Sequence, residues 1–381
     1  MPGGIEIDVM VVDNFIGPSN TLAAITAAAD RTINMYEEVV APGVGKGQTW
    51  LRNAPGLEVF ASLAGSGVNV ELFYQDDRAF AVCGDSFYEL FIDGSSTNHG
   101  TVATLTGITP TMCSNGTAGH QIFITSGLNG YIFDTVADTL TLIADIDFPQ
   151  GEAIAGEFMD GYFLVLIYQS RAFQISALED GTDWDGLDIA ERSEGSDNLV
   201  AMRRSHREIW FLGSQTGEIW YDNGDPDFPF APIQGVFLEQ GCSNVAVLQR
   251  IGNTVMWVTL SQDGSGVVNV ADGYTPKRVS TFAIEDMIQG SNSSNLIAWT
   301  YQERGHWFYC LHLDGNDTTP VFDLSMGRWD ERGTWDEPNQ VWHPNRPISH
   351  CFGWGKHLVG DRLTGTVYRQ SVDIYKQDLA A

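Results

Sequence analysis

Residues 207–222 read REIWFLGSQTGEIWYD. Two runs rich in Ile, Trp, Phe and Tyr are separated by Gly213-Ser214-Gln215-Thr216-Gly217, which is the pattern of two antiparallel strands joined by a short turn. The same pair recurs along the chain as RAFAVC with SFYELF, HQIFIT with GYIFD, YFLVLIY with RAFQI, TVMWVTL with GVVNV, HWFYCLH with PVFDL, and HLVGD with GTVYR. Anchored at Tyr88, Ile132, Phe173, Ile219, Val268, Val321 and Val367, the second strands lie 41 to 53 residues apart. Centred on Phe80, Phe123, Leu164, Trp210, Met256, Phe308 and Leu358, the first strands keep a matching period. A repeat of this length built from short strands is a propeller blade.

The physical reason is burial. A four-stranded twisted sheet cannot cover both its apolar faces alone, and radial stacking covers them while leaving only short edges. The chain is therefore expected to be all-β, a β-propeller of about seven four-stranded blades, or six if the Tyr88 unit or the 347–371 unit is irregular. The last unit stops soon after its third strand, so the strand around LEVFASL (57–63) is expected to supply the missing outer strand and close the ring through both termini. The propeller would then occupy 57–381. Residues 1–56 differ in character and read as an extended arm, with a short strand in EIDVM, an Ala-rich helix in TLAAITAAADRT, and a Gly- and Pro-rich stretch. Met35, Tyr36, Trp50 and Leu51 make that arm too apolar for a solvated tail.

Twenty Lys and Arg stand against 49 Asp and Glu, a net charge of −29. Such a surface repels nucleic-acid phosphates and anionic membranes over most of its area. The five cysteines (Cys83, Cys113, Cys242, Cys310 and Cys351) are odd in number, widely spaced and without a C-x-x-C pair, and read as reduced, strand-embedded small hydrophobes. The N-terminus has neither a basic n-region nor a long apolar core, and no run is long enough to span a bilayer, so neither export nor a membrane span is expected.

The short motifs carry little chemistry. GVGKGQT (43–49) breaks the G-x-x-x-x-G-K-[ST] order of a phosphate loop, because Gly47 follows Lys46, and it reads as a turn. LEDGTDWDGLD gathers Glu179, Asp180, Asp183 and Asp185; hard-cation binding is one reading, and a blade-connecting turn is the simpler one. NGDPDFPF and DGNDTTP have turn chemistry. No G-x-S-x-G elbow and no H-E-x-x-H helix occurs, and the histidines are scattered. Cys310 and His312 share one strand face and read as packing. No catalytic residue, metal or cofactor is assigned.

Candidate contact residues fall in three places. The segment GRWDERGTWDEPNQVWHPNRP carries Trp329, Arg332, Trp335 and Trp342, whose aromatic and Arg content suits either a protein interface or the core of an insertion. Tyr36 and Trp50 are the apolar anchors of the arm. In GYTPKRVSTFAIEDMIQ (273–289), Pro276 ends a turn, Val279 and Phe282 are expected to enter the blade, and Ser280 or Thr281 to cap a short helix bearing Ile284, Met287 and Ile288. Lys277 and Arg278 in that stretch are the expected charged contact to a neighbouring subunit.

From about residue 31 to 371 the chain resembles the packaged-DNA stabilisation proteins of short-tailed bacteriophages, the tail accessory or hub family. The matching stretches are INMYEE with KGQTWLRNAPGL, ISALEDGTDWDGLDIAERSEGSDNLVAM, REIWFLGSQTGEIWYDNGDPDFPFAPIQG, EQGCSNVAVLQRIGNTVMWV, GYTPKRVSTFAIEDMI, and GHWFYCLHL with VFDLSMGRWDERG. The resemblance implies a virion tail protein, assembled in the host cytoplasm as one of six subunits in a ring beneath the portal and its adaptor. Such a ring lengthens the DNA channel, helps retain the packaged genome and carries the needle, fibre or spike. DNA would pass without sequence-specific binding, and an acidic wall would let it slide. The sequence departs from relatives in ending at SVDIYKQDLAA and in having Glu37 where proline is frequent. The alternative from another class is a tail-associated propeller that binds or cleaves polysaccharide, which needs a carboxylate pair that no sequence rule selects here.

Overall fold

The computed structural model describes residues 19–21, 29–39, 49–64, 70–104, 109–127, 129–261, 265–292 and 295–379. Seven antiparallel sheets follow one another in chain order: 70–101, 111–142, 153–191, 199–238, 249–278, 297–344, and 347–371 completed by Gly56–Ser62. They form a seven-bladed β-propeller. In the first six blades the strands run outward from the axis in sequence order, so the first strand is innermost; in the seventh the outermost strand is Gly56–Ser62. The hairpin of the fourth blade shows the register, with Ile209 opposite Trp220 and Trp210 opposite Ile219.

Closure is as expected from the short last unit. Gly56–Ser62 pairs antiparallel with Thr366–Ser371, from Gly56 opposite Ser371 to Ser62 opposite Thr366. The first and seventh blades then meet so closely that a Cβ on Gly360 would lie 2.1 Å from the carbonyl oxygen of Val70. The Ser349 hydroxyl donates to that same carbonyl.

The cores lie between blades, as radial stacking requires. Phe80, Phe87, Ile122, Ile124 and Phe133 join the first two blades, while Phe173, Phe211 and Trp220 join the third and fourth. Trp210, Trp257 and Trp299 are fully packed strand tryptophans. All five cysteines are free and buried. Burial pushes the thiols of Cys242, Cys310 and Cys351 up to about 12 by removing water from the thiolate, which makes them inert packing groups.

Three local expectations change. LEDGTDWDGLD is the turn Leu178–Glu179 followed by the long outer strand Asp180–Glu191, because Trp184 is buried and its indole N–H donates to Gly181 O at 2.8 Å, holding the bulged strand against the blade. The helix Phe282–Gln289 forms with Thr281 as its cap, but Phe282 is 70% exposed: its ring covers the Arg278 guanidinium at 5.0 Å instead of entering the blade. The sixth blade has a fifth strand, Val341–Pro344, from the Trp-rich segment. EIDVM and most of the Ala-rich segment and GVGKGQT fall outside the described residues. The flanks Asn20–Thr21 and Ala29–Asp30 pair as a short antiparallel ladder.

Candidate assembly surfaces

The arm docks on the sixth blade. Its residues 32–34 take up the outer edge of the strand Arg328–Asp336 just before the fifth strand begins: Asn34 N–H donates to Glu331 O (2.8 Å) and Glu331 N–H to Thr32 O (3.0 Å). The Asn34 side chain extends this ladder, donating to Gly333 O at 2.9 Å and accepting from Gly333 N–H at 3.0 Å. An edge that would otherwise invite strand addition is thereby covered.

Charge fastens the same contact. Arg31 forks onto Glu331 (3.2 and 2.5 Å) and reaches Asp317 at 3.0 Å; the hydrogen bond to Glu331 is the main cause that holds its guanidinium well above the ordinary range. Glu37 pairs with Arg328, which gives the carboxylate at this position a partner on the blade. Next to it the hairpin Met35–Val39 with Thr49–Asn53 packs Tyr36, 1% exposed, edge-on against the stacked rings of His306 and Phe308 at 5.1 and 5.2 Å.

The candidate contact residues separate by depth. Tyr36, Trp329 and Arg332 are interior. Trp329 packs on Phe322 at 5.1 Å and donates its indole N–H to Val279 O at 2.8 Å. Arg332 lies 5.1 Å from the ring centre of Tyr301 and 4.9 Å from that of Phe308. Trp329 and Arg332 are on opposite faces of one strand, and a blade has neighbours on both faces, so core rather than surface claims them both. The two aromatic faces compensate part of the desolvation of the Arg332 charge.

Trp335 and Trp342 differ. They lie beyond the reach of the neighbouring blades, directly opposite each other in the outermost strand pair, with rings 5.2 Å apart, and Trp335 is 42% exposed. With Met35, Gln377 and the 81% exposed Tyr375 they border a cleft of about 500 Å³ where arm, fifth strand and C-terminal segment meet. Trp50 is also exposed, at the far end of the hairpin, under the Arg52 guanidinium at 4.6 Å. In the fifth blade Arg278 is taken by Glu285 at 2.7 and 2.6 Å, whereas Lys277 is exposed on the outer strand with no ion pair among the described residues.

The axis carries charges that the sequence did not reveal. Arg203 on the innermost strand of the fourth blade donates to Glu157 of the third at 3.1 Å and to Leu248 O at 3.1 Å. Glu71 of the first blade, ringed by inner strands, has its carboxyl pushed up to about 8 by lost hydration, a shift that the charge of Arg203 partly opposes. The first and fourth blades lie across the ring from each other, so the influence of Arg203 on Glu71 acts across the axis. Arg31–Glu331 and Arg203–Glu157 join residues 300 and 46 apart, and no local pattern announces such pairs.

The acidic clusters serve the fold. Asp180 accepts from Gln121, Thr182 N–H and the Thr182 hydroxyl. Asp197 is lowered to about 2 despite burial, its principal compensating bond coming from Thr216, with Arg192 beside it. Among the described residues no group of three or more His, Cys, Asp or Glu is arranged to hold a metal ion, and no helix is long and apolar enough to cross a membrane.

Comparison with solved structures returns propellers of diverse kinds. The extracellular domain of a one-component system from B. thetaiotaomicron is 9% identical with a TM-score of 0.53, over 84% of this chain and 40% of that one. A chain from the S. cerevisiae Dbp5 complex with Nup159 and Gle1 is 9% identical at 0.51, over 83% and 95%. YCF48 from Cyanidioschyzon merolae is 11% identical at 0.50, over 83% and 98%. These likenesses show the fold alone. No curated protein matches the chain in sequence. The family model described as bacteriophage P22 Gp10, beta-propeller, matches residues 28–374. With nine tenths of its length inside that match, the chain belongs to this family of phage packaged-DNA stabilisation proteins.

Proposed function

We propose that the protein is a structural tail subunit that assembles as a ring, six copies beneath the portal and adaptor, extending the DNA channel and carrying the distal needle, fibre or spike. The family match over residues 28–374 carries this reading. In a ring of subunits the passage would run between copies, along their acidic outer surfaces, rather than through the axis of one propeller, where the Arg203–Glu157 pair lies. With a net charge of −29, neighbouring copies repel one another, and an apolar contact is the physical means of holding them together. The exposed Trp335, packed against the half-buried Trp342, is with Met35 and Tyr375 the contact we assign to that role, with Lys277 as a charged neighbour on the adjoining blade.

Light scattering and negative-stain microscopy of the purified protein, with and without an assembled portal-adaptor complex, test the reading. A ring of about six copies docking coaxially on the adaptor is expected. A monomer or trimer that ignores the adaptor, together with reducing-end release from host polysaccharide, would replace it with the glycan-cleaving alternative.

A further inference from the structure

The turns joining the first and second strands of the blades lie on one face. Contacts pass from one turn to the next around the ring: Thr117 Oγ1 donates to Asp76 at 2.6 Å, Arg207 to Asp160 at 3.0 Å, and Trp354 Nε1 to Asp77 O at 3.0 Å. On this face the fourth to seventh blades present Arg204, Arg250, Arg304 and Lys356, one after another. Arg304 is lifted to the tip of its turn by a backbone with φ of 50° followed by Gly305 at 87°, the paired positive angles of a tight hairpin turn.

Their charges are poorly neutralised by the protein itself. Arg204 donates to the carbonyls of His206 and Phe158 at 3.1 and 3.0 Å, Arg250 to Gly252 O at 3.4 Å, and Lys356 to Ile92 O at 3.4 Å. None of these three has a carboxylate within 4.0 Å among the described residues. Arg304 has only the long contacts to Glu303 and Asp373 at 3.8 and 3.6 Å. In a chain with 49 acidic and 20 basic residues, an unpaired cation is the uncommon case, and here Arg204, Arg250 and Arg304 succeed one another around the axial mouth, with Lys356 farther out on the same face, over the Phe60 ring at 5.3 Å. The first blade shows the ordinary outcome: Arg78 is gripped by Glu89 at 2.6 and 2.8 Å and by Asp138 at 2.6 Å.

We propose that this basic arc is a docking site for an acidic segment of a partner protein approaching along the ring axis. Guanidinium groups with free donors suit carboxylates by their planar fork, and Phe352, 55% exposed on the innermost strand of the seventh blade, adds an apolar anchor beside them. The shape of the charge favours a compact protein element over a duplex. The peripheral turns of the same face carry exposed Asp93, Asp138, Asp225, Asp227 and Asp272, which would repel phosphates laid across the face but leave an axial approach open. The inference concerns the face of the propeller and holds whether or not its edge forms a ring.

Fluorescence anisotropy with a labelled deca-glutamate peptide tests it, with a single-stranded DNA and a short DNA duplex of matched charge as separate arms. The peptide is expected to bind at low ionic strength and to be released by salt. Reversing two arc charges, Arg204→Glu with Arg250→Glu, should weaken it at least about tenfold, while Lys277→Glu on the ring edge should change it less than about twofold. Because Arg204 also braces the third blade, Arg250→Glu and Lys356→Glu are measured singly, each expected to weaken binding about threefold with the melting temperature unchanged. Absence of peptide binding, binding indifferent to all these reversals, or tighter binding of either DNA would overturn the proposal.

Discussion

Two segments from the N-terminal part of the chain complete the propeller in different ways. The closing strand Gly56–Ser62 enters the seventh blade through a backbone ladder and the burial of Leu57 and Ala61. The arm before it meets the sixth blade through a few ladder bonds, one buried aromatic and the pairs Arg31–Glu331 and Glu37–Arg328. The first mode is apolar and shared with the whole ring, so it should unfold only with the ring. The second is local and ionic, and it should respond to salt and pH.

The largest expected effect breaks the closure. Leu57→Asp places an unpaired carboxylate in a fully packed site and should cost roughly 4 kcal/mol or more, abolishing the single cooperative transition in urea. Tyr36→Ala should cost about 3 kcal/mol by emptying the space beside the stacked His306 and Phe308 rings. Its effect should appear as protease cleavage within the arm before the blades melt. Tyr36→Phe sharpens the same point: the buried hydroxyl has no hydrogen-bond partner, so its removal should change stability by less than about 0.5 kcal/mol.

Asp330 tests the electrostatic side. Burial raises its carboxyl to about 7, against the opposing pull of Arg332 and with Asp323 adding repulsion. A carboxyl whose folded value lies above its unfolded value holds its proton longer in the folded state, so stability falls as pH rises between about 4 and about 7. Asp330→Asn should therefore gain about 1 to 2 kcal/mol over the parent at pH 8 and almost nothing at pH 4, read from paired thermal melts. A more modest, salt-dependent effect belongs to Arg31→Met. The guanidinium is one third exposed, so its loss should cost about 1 kcal/mol at low salt and much less near 1 M salt.

The contrast also explains what the sequence discloses. Blade count and closure were legible because the strand pairs such as Ile209–Trp220 are local and repeat at a fixed period, and because a unit lacking its fourth strand must find one. Trp335 and Trp342 were legible as aromatics without a place in the repeat. Burial of Trp329 and Arg332 was not, since it depends on the adjoining blades covering both faces of one strand. Phe282 was misplaced because a nearby guanidinium offered its ring a partner at the surface. The axial pair Arg203–Glu157 and the basic arc were invisible for a related reason: only ring closure brings one residue from each of several distant repeats to the same mouth.

The most direct measurement of the assembly account is the solution mass of the parent and of a Trp335→Ser, Trp342→Ser variant by light scattering at matched concentration. The account predicts a multi-copy ring for the parent and a folded monomer, with an unchanged melting temperature, for the variant. A parent that remains monomeric, or a variant that still assembles, would contradict it.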